Sequence, residues 1–127
     1  MKKLDILKSI KKTTGATSVD KSTMANVTEF FDTGSYALNR VLGGDLKNGG
    51  VPSGRVVTFF GASGSGKSLI AAITAAKALK DGKIDVVYIF DSEGGSLINV
   101  FKQYGVDLDR VQHIPVKSVE HCTTKMI

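Results

Sequence analysis

The segment Gly61–Ser68 (GASGSGKS) has three glycines and ends in a lysine and a serine, and it lies between an apolar run and an alanine-rich stretch. It fits the G-x-x-x-x-G-K-[ST] pattern of a phosphate-binding P-loop in full. The preceding run, Val56–Phe60, is β-branched and aromatic without polar alternation, which predicts a strand buried on both faces. Residues 67–81 (KSLIAAITAAKALKD) predict a helix that Gly82 ends. A strand, a glycine-rich loop and a helix in this order indicate an α/β fold.

The other predicted elements are bounded by glycines, which end helices, or by serines, which cap them. They are a helix from Ser35 through Val41 ending at Gly43-Gly44, a tight loop over 49–54, a buried strand over Ile84–Phe90, a helix over Leu97–Tyr104 ending at Gly105, a strand over Val111–Ile114, and a helix capped by Ser118. Together with Val56–Phe60, these strands predict a three-stranded parallel sheet.

Residues 1–27 form a predicted N-terminal arm ahead of a globular part over residues 28–127. Leu4, Leu7 and Ile10 recur every three residues among lysines, which predicts a short amphipathic helix over residues 2–12. Residues 13–27 are rich in threonine and serine and predict a linker. Six lysines and two aspartates within the first 21 residues indicate either a solvated helix face or a surface for phosphate backbones or acidic partners.

Composition and charge placement argue against three classes of protein. No apolar run approaches the roughly 18–20 residues that span a bilayer. Charged residues interrupt the N-terminal apolar positions, which argues against a signal peptide, so we expect a cytoplasmic protein without membrane attachment. Cys122 is the single cysteine, so neither a disulfide framework nor a zinc-ligand spacing is present.

The residues of Gly61–Ser68 suit a nucleoside triphosphate. Its three glycines are expected to take positive φ angles and let the backbone approach a ligand closely. Backbone N–H groups and the start of the next helix would face the phosphates. Lys67 is expected at the β- and γ-phosphates of ATP, and Ser68 as a ligand of Mg²⁺. The predicted nucleotide-binding residues are Gly61, Ala62, Ser63, Gly64, Ser65, Gly66, Lys67, Ser68 and Leu69.

A candidate catalytic carboxylate follows the strand predicted over Ile84–Phe90. That strand brings Asp91-Ser92-Glu93 to the carboxyl edge of the sheet, where the working residues of open parallel sheets lie. Hydrolysis of a triphosphate needs a group that orients water near the γ-phosphate. Glu93 is therefore a candidate general base. The alternative interpretation is a surface carboxylate that caps the next helix.

Several stretches resemble the RecA-like recombinases, and most closely the UvsX-type recombinases of T-even bacteriophages. The resemblance runs from about residue 31 to residue 115. The stretches that carry it are Thr33–Leu38 (TGSYAL), Gly50–Arg55 (GVPSGR), Asp91–Glu93 (DSE) followed by Gly105–Asp107 (GVD), and His113–Val116 (HIPV). The resemblance implies an incomplete RecA-like P-loop core, preceded by an N-terminal helical arm that packs on a neighbouring subunit.

The resemblance further implies a DNA-dependent ATPase that forms a homo-oligomeric filament on single-stranded DNA and promotes strand exchange in recombination and repair. Glu93 then matches the family's catalytic base, and Lys67 acts at the phosphates. Many family members place an adenine-stacking aromatic residue seven positions after this glutamate, where Val100 stands here. The family's second acidic (Walker B) strand and its DNA-binding loops would follow residue 127.

Three functions remain open from the sequence. The chain is the N-terminal part of a UvsX-like recombinase, another RecA-core ATPase such as a replicative helicase, or a nucleotide-binding fragment without turnover that modulates a full-length recombinase. A three-stranded sheet that stops within a helix would leave an unpaired edge and an uncovered apolar face. We therefore expect the isolated chain to be marginally stable or to aggregate.

Overall fold

The structure, a computed structural model, describes residues 3–22, 25–95 and 97–126. Within these ranges helices and short strands alternate along the chain. The helices are α1 (Lys3–Thr14), α2 (Tyr36–Gly43), α3 (Lys67–Lys80), α4 (Ile98–Tyr104) and α5 (Val119–Met126), and the strands are β1 (Phe30–Phe31), β2 (Val51–Pro52), β3 (Val87–Asp91) and β4 (Val111–Pro115). Short 3-10 turns lie at Val19–Lys21 and Leu108–Arg110.

The strands form two separate pairs. β3 and β4 are parallel, with Val87 opposite Val111 and Asp91 opposite Pro115, as predicted for two strands joined by a helix. β1 and β2 form an antiparallel pair that the sequence did not indicate. Because β2 lies within residues 49–54, the prediction of a plain loop there was wrong.

The predicted buried strand over Val56–Phe60 was also wrong. The segment pairs with no strand of the described chain. Val56 is 97% exposed and Phe60 is 92% exposed, whereas Val57 and Phe59 are half-buried. A strand of a parallel sheet is covered on both faces only where neighbouring strands and helices flank it. Here the inward side chains alone are covered, because they line an apolar groove of about 400 Å³ against α3 and the start of β3.

The core lies between α3, α4 and one face of the β3–β4 pair. Ala72, Ala76 and Leu79 of α3 are buried together with Phe101 of α4. Val87 and Ile89 of β3 pack against this cluster, but the intervening Tyr88 is exposed. The expectation of a strand buried on both faces therefore fails for β3 as well, because helices cover a single face.

The predicted helix ends agree with the structure. The Ser35 hydroxyl accepts a hydrogen bond from the backbone N–H of Leu38 at the start of α2, and Ser118 does the same for His121 in α5. Gly44 and Gly105 end α2 and α4 with left-handed φ angles of 77° and 66°. Capping therefore fixed these helix boundaries as the sequence indicated.

The N-terminal arm is helical over Lys3–Thr14, two residues beyond the predicted end. The linker predicted over residues 13–27 contains the 3-10 turn, and its residues 23 and 24 lie outside the described chain. Leu7 and Ile10 are exposed, so the apolar side of α1 is not covered by the described residues. The side chain of Leu4 is outside the described part.

A buried asparagine joins α2 to the segments on either side of it. Asn39 is 0% exposed. Its Oδ1 accepts hydrogen bonds from the backbone N–H of Thr33 at 2.9 Å and from the hydroxyl of Thr33 at 2.7 Å. Its Nδ2 donates to Oδ1 of Asp32 at 2.8 Å and to the carbonyl of Leu46 at 3.3 Å. One amide thus connects the chain before α2 with the chain after it.

Candidate nucleotide-binding site

The loop over Gly61–Ser68 leads directly into α3. Gly66 is the N-cap residue, and its carbonyl accepts the first helical hydrogen bond from the N–H of Ile70 at 2.9 Å. Glycine has no side chain with which to cap, so Lys67, Ser68 and Leu69 present backbone N–H groups without an acceptor inside the helix. These three N–H groups, and the positive end of the helix dipole, form a site suited to an anion.

Two of the three loop glycines take the conformation predicted for them. Gly64 and Gly66 have left-handed φ angles of 76° and 87°. A Cβ atom at either would meet nothing within 4 Å, so the backbone conformation, and not crowding, requires glycine there. Gly61 does not have a positive φ, and that part of the prediction was wrong. A Cβ atom at Gly61 would lie 3.2 Å from Oγ of Ser65. A close contact with that side chain, and not a left-handed backbone, therefore favours glycine at this position.

Lys67 turns its ammonium back onto the loop. Its Nζ donates hydrogen bonds to the carbonyls of Gly61 at 3.0 Å and Ala62 at 2.9 Å. The backbone N–H of Ser65 also donates to the Ala62 carbonyl, at 3.3 Å. An ammonium has three N–H donors, so two hold the loop and a third is left for an incoming anion.

The residues of this loop fit a phosphate group together with a magnesium ion. Residues 61–65 and 68–69 are exposed, which leaves the backbone N–H groups and the Ser68 hydroxyl accessible. Mg²⁺ keeps several waters and takes few protein ligands beside phosphate oxygens. The exposed hydroxyl of Ser68 is an oxygen donor of the kind that fits a magnesium ion bound beside phosphate oxygens.

Glu93 lies in a second loop, which follows β3. The backbone N–H groups of Glu93 and Gly94 donate to Oδ1 of Asp91 at 2.8 and 3.0 Å. The Glu93 side chain is exposed, and within the described residues its carboxylate makes no hydrogen bond or ion pair. The structure thus brings Gly61, Ala62 and Lys67 together, while Glu93 stands in a separate loop.

Asp91 also contacts a histidine that sequence reasoning missed. Nε2 of His113, in β4, lies 3.0 Å from Oδ2 of Asp91. The hydrogen bond from His113, followed by those from the N–H groups of Glu93 and Gly94, lowers the pKa of Asp91 below its ordinary value. An aspartate that accepts from the N–H two residues ahead is a common turn, so the turn could have been predicted. His113 belongs to a stretch that carries the family resemblance, but nothing in the sequence indicated its contact with Asp91.

The position expected to stack on adenine has no exposed aromatic ring. Val100 is half-buried, and the neighbouring Phe101 is only 1% exposed because it belongs to the core between α3 and α4. Phe101 therefore does not replace the stacking residue that Val100 lacks. Throughout residues 3–22, 25–95 and 97–126, no helix has both the length and the apolar character needed to cross a membrane.

Comparison with known proteins places this site within a family. The profile of the RecA N-terminal domain matches residues 2–117. The DNA repair and recombination protein RadB of Methanobrevibacter smithii is 46% identical over 68 residues, which cover 53% of this chain and 28% of that protein. Protein RecA of Nautilia profundicola is 37% identical over 79 residues, covering 62% and 21%. Protein RecA of Mycoplasma genitalium is 39% identical over 83 residues, covering 65% and 23%. The chain spans about a quarter of the length of these relatives.

Proposed function

Because the chain belongs to the family of the RecA N-terminal domain, we propose that it is the nucleotide-binding N-terminal part of a recombination and repair protein. The relatives with matching sequence are named RecA and RadB, the latter a DNA repair and recombination protein. The chain covers at most 28% of those three proteins. The share of the function that we propose for it is the binding of ATP and Mg²⁺ at the loop before α3.

The observation that carries this proposal is the geometry at the start of α3. Gly64 and Gly66 are left-handed, the N–H groups of residues 67–69 have no acceptor inside the helix, and the Lys67 ammonium lies against the loop carbonyls. Such a loop offers fixed positive charge and donors to a triphosphate. Lys67 would neutralise the β- and γ-phosphates and Ser68 would hold Mg²⁺. Glu93 would position the attacking water as a general base.

Assembly belongs to the same proposal. The exposed apolar residues Ile6, Leu7 and Ile10 of α1 favour an arm over residues 1–27 that packs on a neighbouring subunit of a filament. The nucleotide-binding core would then occupy residues 28–127. Single-stranded DNA would be the partner of the filament. The narrower assignment to the UvsX-type phage recombinases, which would act in the host cytoplasm, rests on stretches such as His113–Val116.

The first test is binding of a fluorescent ATP analogue in the presence of Mg²⁺. We expect Lys67→Ala to weaken binding by about tenfold, because its ammonium is a cation that lies directly against the loop. Lys80→Ala, at the exposed far end of the same helix, is the matched control and should bind as the wild type does. Equal binding by both variants would refute the nucleotide site.

The second test is ATP turnover with and without single-stranded DNA. Glu93→Gln should keep nucleotide binding and lose turnover, since it removes the base and leaves the loop before α3 intact. If the wild-type chain binds nucleotide but does not turn it over, the non-hydrolysing module becomes the better description. The segment Val56–Phe60 favours that second candidate, because the chain that leads into the loop forms no strand and pairs with no strand within the described residues.

A further inference from the structure

The position of His113 follows from the register of the parallel pair. His113 lies opposite Ile89, two residues before Asp91, and its ring reaches along β3 to the Asp91 carboxylate. An ionised carboxylate can only accept hydrogen bonds, so the Nε2 atom carries a hydrogen and its N–H donates a hydrogen bond to Oδ2. The lowered pKa of Asp91 agrees with this ionised state.

The two oxygens of Asp91 divide their contacts between β4 and the loop. Oδ2 accepts from His113, whereas Oδ1 accepts from the backbone N–H groups of Glu93 and Gly94. The Asp91 carbonyl accepts from the N–H of Val116 at 2.9 Å, which continues the β3–β4 pairing to the strand end. Rotation of the Asp91 carboxylate would therefore break the hydrogen bond from His113 and those from the loop N–H groups at the same time.

We propose that His113 is a positioning residue that acts through Asp91 to fix the backbone of the loop carrying Glu93. This inference rests on the proposed role of Glu93 as general base. The Glu93 carboxylate has no partner of its own among the described residues, so its place depends on where the loop backbone is held. His113 supplies the contact from β4 that keeps the Asp91 carboxylate turned toward both N–H groups.

The test uses the full 127-residue chain and two substitutions at one position. His113→Leu removes the donor, whereas His113→Gln offers an amide N–H close to the place of Nε2. His121→Leu, at the other histidine in the sequence, is the control. Amide hydrogen exchange at Glu93 and Gly94 should quicken roughly fivefold in His113→Leu, the factor expected for loss of one hydrogen bond. It should return toward the wild-type rate in His113→Gln and stay unchanged in His121→Leu.

Unchanged exchange in His113→Leu would overturn the proposal, whatever the turnover. Where the wild type hydrolyses ATP, His113→Leu should lower kcat and leave KM unchanged, and His113→Gln should restore kcat. Quickened exchange with an unaltered kcat would show that the contact does not position Glu93 for catalysis. If the wild type shows no turnover, the role of Glu93 as base fails, and the exchange rates still decide whether His113 fixes the loop.

Discussion

The Nζ atom of Lys77 lies 2.7 Å from Oδ2 of Asp32, and this ion pair ties α3 to the segment that precedes α2. The side chains are 26% and 31% exposed, so solvent screens the pair only in part. Asp32 also accepts hydrogen bonds from Asn39 and from the backbone N–H of Gly34. The helix that follows the glycine-rich loop is therefore anchored at its far end to a polar cluster.

We expect Lys77→Met to lower the free energy of unfolding by about 1 kcal/mol near neutral pH, the upper range for a partly exposed pair. Urea unfolding followed by circular dichroism measures this difference. Lys80→Met, on the exposed side of the same helix, should change stability by less than about 0.5 kcal/mol. A loss of the same size in both variants would contradict a specific contribution from the ion pair, because methionine keeps the apolar stem at both positions.

The ion pair between Lys77 and Asp32 also predicts how the free energy of unfolding depends on pH. Burial alone would raise the pKa of Asp32, but hydrogen bonds from Asn39 and Lys77 outweigh it and lower the pKa below 3.8. The hydrogen bond to Asp32 raises the pKa of Lys77 above 10.5. The pair therefore stabilises the fold fully between pH 3.8 and 10.5. Its contribution is lost at the acid side as the pH falls through the lowered pKa of Asp32, and at the alkaline side as the pH rises through the raised pKa of Lys77. The stability gap between the wild type and Asp32→Asn should narrow below pH 3.8, and a gap that widens there would contradict the prediction.

The buried amide of Asn39 gives a second prediction. Asn39→Ala leaves the N–H of Thr33 and the carbonyl of Leu46 without this partner, and Thr33 is itself buried. We expect a loss of about 2–4 kcal/mol in unfolding free energy, measured by chemical denaturation. Asn48→Ala, at an exposed asparagine, is the control and should lose under about 0.5 kcal/mol. A small loss at both sites would indicate that water replaces the amide.

Gly50 gives a third prediction, because its φ angle is positive and the backbone around it leaves no room for a Cβ atom. Its φ angle is 133°, and a Cβ atom there would overlap the carbonyl oxygen of Phe31. Gly54 has a positive φ of 64° but open space around the same atom. Gly54→Ala should therefore cost about 1–2 kcal/mol, the price of the left-handed conformation alone. Thermal unfolding should show a larger loss for Gly50→Ala, and equal melting temperatures would refute the crowding argument.

The segment before the loop gives a fourth prediction through two adjacent valines. Val57 lines the groove against α3, whereas Val56 points to solvent. Val57→Thr places a hydroxyl among apolar side chains and should cost about 1–2 kcal/mol. Val56→Thr should leave the unfolding free energy within about 0.5 kcal/mol of the wild type. Chemical denaturation of both variants checks this, and a reversed order would mean that Val56–Phe60 faces the other way.

Local signals predicted the helices well. The alanine-rich composition of α3 and the caps at Ser35, Gly105 and Ser118 act within one or two turns, so the sequence alone contains them. The strands were harder, because burial of Val56–Phe60 depends on neighbours that are distant in sequence. The two-residue strands β1 and β2 carry no periodic signal at all.

The candidate site likewise has one part that the local sequence predicted and another part that depends on residues distant in sequence. The loop before α3 is one continuous motif, and two of its three glycines adopt the predicted backbone. The contact between Asp91 and His113 joins residues 22 apart in sequence, so no spacing rule could reveal it. The roles proposed for Lys67, Ser68 and Glu93 remain predictions that the binding and turnover measurements decide.

The two hydrogen bonds of the Lys67 ammonium have a consequence for how a ligand enters. Because the carbonyls of Gly61 and Ala62 accept two of the three ammonium N–H donors, a phosphate bound as we propose would meet the third donor alone. One side chain would then hold the shape of the loop and supply its charge, so a substitution at Lys67 would alter both together.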